Sequence, residues 1–196
     1  MSVHANENNG AITLTIHGQH RNVKLEDAEQ LLEELEEVSR NPKSLQGIKT
    51  GFNRLDRLTN GFQKSDLILI AARPSVGKTS FAMNLVNNAA LNENAKVAVF
   101  SLEMPEKQII QRSLSSIAKI DMERIKRGQL KEEEWMKLLQ AKNKFDSANI
   151  YIDDSSLNTP MQILSKCRRL KKEKGLDLIM IDYLQLMSCH IKMKHL

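Results

Sequence analysis

From residue 60 onward the chain carries short, nearly continuous apolar runs, at 67–71, 97–101, 150–152 and 178–181, set apart by longer stretches with helical periodicity. Runs apolar on both faces predict strands buried between helical layers, and their alternation with helices predicts an α/β core built on a parallel sheet. Before residue 40 the pattern is different. The first ten residues are polar and predict a loose end. Residues 11–16, "AITLTI", alternate apolar and polar as a half-buried strand does, and residues 17–20 offer a turn into a hairpin. Leu25, Ala28, Leu31, Leu32, Leu35 and Val38 then recur at helical spacing, with seven acidic residues on the other face, predicting an acidic amphipathic helix. Asn41, Pro42 and Gly47 mark a boundary, so the reading divides the chain into an extension over 1–46 and a core over 47–187, followed by a tail over 188–196.

One further helix is marked at both ends. Thr159 and Gln162 make a T-x-x-Q capping box, Pro160 suits the first helical position, and Gly175 terminates it. Met161, Leu164, Cys167 and Leu170 would share its inner face, which makes Cys167 a packing residue. Trp135, in "EEEWMKLL", is expected to anchor its helix against the core.

Composition adds bounds. The chain has 196 residues, 41% of them hydrophobic, enough for one core with a small appendage. A net charge of +5 is compatible with a polyanionic partner, while 4% aromatic content leaves few platforms for stacking bases. Cys167 and Cys189 lack metal-ligand spacing, as do the five histidines, and no secretory signal or membrane-length apolar run is visible. The expectation is a cytoplasmic protein with no membrane partner.

The chemistry concentrates at "ARPSVGKTS": Ala72, Arg73, Pro74, Ser75, Val76, Gly77, Lys78, Thr79 and Ser80. A phosphate cradle needs backbone N–H groups converging at a helix N-terminus, and a lysine reaching the β/γ oxygens. Gly77 allows close backbone approach, Lys78 brings the cation, and the Thr79 hydroxyl is placed to ligate Mg²⁺. The loop departs from G-x-x-x-x-G-K-[ST] at its first position, where Ala72 replaces glycine; alanine fits if the backbone there keeps a negative φ. ATP with Mg²⁺ is the expected ligand. Asp182 ends the run "LIMI" at the carboxyl edge of a predicted strand, where it would hold the magnesium shell. Its alternative is a loop acid capping nearby N–H groups. Glu103 ends another such run, and two readings fit it equally: an ordinary turn acid, or the base that aims the attacking water.

"GIKTGFNRLDRLTNGFQKSDLILIAARPSVGKTSFAMNL", "VFSLEMP", "GQLKEEEW", "YIDDSS" and "CRRLKKEKGLDLIMIDYLQLM" follow one another in the order and spacing of replicative DNA helicases of the DnaB type, which the chain resembles over residues 47–187. The resemblance implies a RecA-like P-loop ATPase that forms hexameric rings with other helicase subunits and drives 5′-to-3′ movement on single-stranded DNA at the replication fork, among other replication proteins. It implies that Ser75, Gly77, Lys78 and Thr79 belong to the ATP loop, that Glu103 is the catalytic base and that Asp182 is the magnesium acid. In such helicases the sheet continues with further strands, a phosphate-sensing glutamine, DNA-contacting loops and an arginine finger. None has a counterpart here, and "SCHIKMKHL" resembles nothing in the family. The expectation is therefore a short form with impaired hydrolysis; the alternative is a non-catalytic interaction protein that modulates a full-length helicase. The helix expected over 25–38 reads either as a stand-in for the linker helix that docks on an adjacent subunit or as a solvated local cap. The basic run Lys166, Arg168, Arg169, Lys171, Lys172 and Lys174 reads as a solvated helix face rather than a DNA site.

Overall fold

The computed structural model describes residues 2–6, 11–16, 19–23, 36 and 47–187, apart from 74 and 156–158. The chain divides into two units, Met1–Gln46 and Gly47–Leu196.

Strands β1 (Ser2–Asn6), β2 (Ala11–Ile16) and β3 (Gln19–Val23) make an antiparallel sheet in that order in the first unit. Ile16 opposite Gln19 closes the hairpin expected from the sequence, with the turn residues 17 and 18 outside the described residues. The loose N-terminus is corrected: Val3 lies opposite Leu14 and Ala5 opposite Ile12. Val3 and Ala5 alternate with polar neighbours, a period too brief to stand out, yet enough to pair with β2. Of the acidic helix only Glu36 is described, and it is helical.

The second unit is organised around β4 (Val97–Ser101), buried at all five positions. β5 (Ile150–Asp153) and β6 (Leu178–Asp182) flank it in parallel, giving the order β5-β4-β6. Successive β4 side chains go to opposite faces, and so build two cores. Val97 and Val99 pack with Met83, Val86, Ala89 and Ala90 of α2 (Lys78–Asn92; the shorter α1 spans Asn53–Thr59) and with Ile109 of α3 (Glu106–Ala118). On the other face Ala98 and Phe100 meet Ile163 and Cys167 of α6 (Pro160–Glu173). Helices α4 (Met122–Arg127) and α5 (Glu132–Ser147) complete the unit, α5 lying against α3. The result is an α/β fold in which helices cover both faces of a parallel sheet. Among the described residues no helix is long and apolar enough to cross a membrane.

α6 starts as its sequence predicts: Thr159 Oγ1 accepts from Gln162 N (3.3 Å) and Gln162 Oε1 accepts from Thr159 N (2.8 Å). Its buried stripe, however, is Ile163, Cys167 and the half-buried Leu170, while Met161 and Leu164 are exposed. Burial pushes the Cys167 thiol up, as befits a packing residue. The basic residues of α6 are exposed except for half-buried Lys166, which binds Asp153.

Two expectations fail. Trp135 is 56% exposed, because the inward stripe of α5 runs through Glu134, Leu138, Ala141 and Phe145, about 100° round the helix from it. The run at 67–71 forms no strand: it pairs with none of the described strands, and Leu67 is 85% and Leu69 71% exposed. β6 is likewise an edge, hydrogen-bonded to β4 alone, with Ile179 exposed.

Residues 47–62 dock against α2 through a buried polar knot. Asp56 Oδ1 accepts from Thr50 N (2.8 Å), and Asn88 Nδ2 of α2 donates to Thr50 O (2.8 Å). Gly51, at φ +79, lies where an added Cβ would stand 2.2 Å from that same Asn88 nitrogen. Phe52 then reaches Phe81, one turn into α2, with ring centroids 5.2 Å apart.

Candidate functional site

The carboxyl ends of β4 and β6 are tied together where the chemistry is expected. Ser101 lies opposite Asp182 in the register, and Leu102 N donates to Asp182 O at 2.8 Å. Asp182 is thereby fixed at the sheet edge with only 4% of its surface exposed. Glu103 is one residue beyond the same hydrogen bond. The Ser101 hydroxyl shapes the turn that carries it, donating to Met104 O (2.7 Å) and accepting from Met104 N (3.2 Å). Glu103 is exposed, with no hydrogen bond or ion pair to any described residue.

The loop reaches this edge from the other side. Ser75 has φ 66 and Gly77 φ 100, so the chain passes twice through left-handed backbone before α2 begins at Lys78. Left-handed residues turn consecutive N–H groups towards one side, which is the geometry of an anion nest. At Gly77 an added Cβ would meet nothing within 4 Å; the space beside the loop is open, and glycine serves its φ. Ala72 takes no positive φ, so alanine is unstrained there. Pro74 lies outside the described residues.

Lys78 and Thr79, the first two residues of α2, converge on one carboxylate. Lys78 Nζ is 2.8 Å from Asp182 Oδ1, and the Thr79 hydroxyl donates to Asp182 Oδ2 at 2.6 Å. The Asp182 carboxylate thus receives a cation on one oxygen and a hydroxyl proton on the other. A hydroxyl and a carboxylate are the hard oxygen donors that Mg²⁺ takes from a protein when nucleotide phosphates and water complete its shell. No cluster of three or more His, Cys, Asp or Glu side chains suited to a metal occurs among the described residues, which accords with an ion held jointly with phosphates rather than in a cage of its own.

Two contacts escaped the sequence reading. The ring of Tyr183 lies beneath the Lys78 ammonium, with Nζ 4.3 Å from its centroid. Arg112 Nη1 of α3 reaches Ser80 Oγ at 3.4 Å, bridging to the first turn of α2. Neither belongs to a spacing pattern; a tyrosine next to Asp182 in sequence was the single available signal for the first. The largest cavity among the described residues, about 610 Å³, lies between α2, α3 and α4 and shares Ser80 with the loop, but neither Lys78, Thr79, Asp182 nor Glu103 lines it.

Residues 47–195 match the family described as the DnaB-like helicase C terminal domain. The chain is 45% identical over 171 residues to the replicative DNA helicase DnaB of Geobacillus stearothermophilus, covering 87% of this chain and 37% of that protein. Among solved structures it is similar to an isolated ATPase domain, with a TM-score of 0.77 and 35% identity over 86% of this chain and 60% of that one. It is also similar to a DnaB-like replicative helicase whose structure was determined together with its interactions with primase, with a TM-score of 0.73 and 36% identity over 82% and 39% of the two chains. The chain spans about a third of the length of the curated relatives it matches.

Proposed function

The chain belongs to the family of DnaB-like helicase C-terminal domains, and on that premise we propose that it binds Mg-ATP at residues 72–80 and uses the nucleotide as the motor portion of a replicative DNA helicase. The observation that carries this reading is the convergence of Lys78 and Thr79 on Asp182. A lysine, a hydroxyl and a carboxylate meet beside an open left-handed loop at the carboxyl edge of the sheet, which is where α/β folds bind their ligands.

In this mechanism the loop backbone and Lys78 hold the β- and γ-phosphates, and Thr79 with Asp182 holds Mg²⁺. Bound there, Mg²⁺ neutralises charge on the phosphate oxygens. Glu103, exposed and free of described partners at the end of β4, accepts the proton of the attacking water. The ring of subunits, the single-stranded DNA track and contacts with other replication proteins are carried over from the helicase relatives as part of the proposal.

The test is titration of a fluorescent ATP analogue with Mg²⁺. Lys78→Ala removes a charge-assisted contact and weakens binding by about 1.5–3 kcal/mol, roughly 10- to 150-fold. Equal affinity in the two proteins would remove the loop from the site.

A further inference from the structure

Tyr183 has no part in the chemistry described so far, yet it touches the lysine on which that chemistry depends. Lys78 Nζ stands 4.3 Å from the Tyr183 ring centroid and 2.8 Å from Asp182 Oδ1. The two residues that receive the ammonium are consecutive in the chain, so the backbone that fixes Asp182 at the end of β6 also presents the ring. The Lys78 side chain is largely covered in this arrangement, with 28% of its surface exposed. A cation over an aromatic face is drawn to the negative side of the ring quadrupole, and such a contact shifts an equilibrium constant by about two- to fivefold at a partly exposed site.

We propose that Tyr183 is a positioning residue for Lys78: with Asp182 it forms a resting seat for the ammonium, and the lysine must leave that seat to reach a phosphate. The proposal rests on the nucleotide reading of residues 72–80. Its direction follows from competition. Whatever strengthens the seat stabilises the nucleotide-free protein and weakens binding by the same factor; whatever weakens the seat tightens binding. Asp182 gives the seat its charge. Tyr183 gives it a face that holds the ammonium without consuming a hydrogen bond, so that Lys78 is retained near the loop and remains free to be drawn off by phosphate.

The experiment titrates a fluorescent ATP analogue into the full chain carrying Tyr, Phe, Trp or Leu at position 183, each in the Lys78 and in the Lys78→Ala background. Tyr183→Phe keeps the ring and stays within about twofold of the parent. Tyr183→Trp, with the strongest aromatic face, weakens binding about two- to threefold, and Tyr183→Leu tightens it about two- to fivefold. In the Lys78→Ala background the order disappears. Should the leucine or tryptophan variant fail to fold, phenylalanine against pentafluorophenylalanine at position 183 asks the same question at similar volume, because fluorination reverses the quadrupole; the fluorinated ring is expected to bind nucleotide more tightly. A packing role alone would weaken binding for Leu and Trp alike, and that result overturns the proposal, as does an order that survives Lys78→Ala. A flat series at position 183 with binding still dependent on Lys78 overturns the seat and leaves the nucleotide site standing. Binding independent of Lys78 overturns both.

Discussion

Thr79 and Asp182, separated by 103 positions in the chain, are joined by a 2.6 Å hydrogen bond that fastens the first turn of α2 to the end of β6. The bond holds a helix N-terminus and a sheet edge at a fixed separation, and it uses the oxygens that the proposed mechanism assigns to magnesium. Asp182→Asn keeps the size of the side chain and removes its charge. Mg-ATP should then bind at least roughly tenfold more weakly, about 1.4 kcal/mol. ATP without metal should bind at least as well as to the parent, because the lost carboxylate no longer holds Lys78 or repels phosphate. Parallel titrations with Mg²⁺ and with EDTA measure the difference, and an equal loss in both would exclude Asp182 from the metal shell.

Glu103 is placed by backbone rather than by partners of its own. Glu103→Gln should leave nucleotide affinity within about twofold and lower the rate of phosphate release by about 10²–10⁴, the usual contribution of a general base. Steady-state phosphate release beside a binding titration separates the two effects. A variant as fast as the parent would return Glu103 to the role of an ordinary turn acid.

Asp153 at the end of β5 carries a pH dependence of stability. Burial pushes its carboxyl up, but the Lys166 hydrogen bond, the Ser155 hydroxyl and N–H, and the Lys166 charge outweigh it and hold the pKa at about 2, against the usual 3.8. A depressed carboxyl stabilises the fold above its unfolded pKa and loses that contribution as pH falls through the folded value. The stabilisation is therefore complete above about pH 4 and gone below about pH 2, and is worth about 2 kcal/mol. Lys166→Met should destabilise the chain by about 1–2 kcal/mol at pH 7 and progressively less towards pH 2. Urea melts of both proteins across that range provide the comparison, and a constant gap would assign the effect to packing.

The knot between residues 47–62 and α2 yields a prediction about stability alone. Asp56 is buried and accepts from Thr50 N, so Asp56→Ala strands a buried donor at a cost of about 1–3 kcal/mol. Asp56→Asn retains an acceptor oxygen and should cost less. Denaturant midpoints of the two variants report the difference, and equal midpoints would show that the charge matters more than the acceptor.

The strands at 97–101, 150–153 and 178–182 could be read from the sequence because each is apolar on both faces and each found a neighbour. Residues 67–71 look the same in sequence and form no strand, since a strand is defined by its hydrogen-bonding partner and hydrophobicity does not specify one. The cap of α6 was readable because Thr159, Pro160 and Gln162 act within one turn. Trp135 was misread because its size suggested burial, whereas the stripe that packs on α3 is set by Ala141 and Leu138. In the site, Lys78, Thr79 and Asp182 belong to recognisable local signatures. The contact of Tyr183 with Lys78 depends on how β6 and α2 meet, and no spacing encodes that.

The segment 67–71, which leads into the phosphate loop with its amides outside any ladder, gives the loop two very unlike anchors. Downstream, α2 is embedded in the core; upstream, the polypeptide has no sheet to hold its N–H groups. Amide protons on the upstream side should therefore trade with solvent deuterium through small local openings, while those of β4 wait for global unfolding. A ligand gripping residues 72–80 would slow that trade on the upstream side first, and the isotope pattern along 67–71 becomes an internal gauge of how fully the loop is occupied.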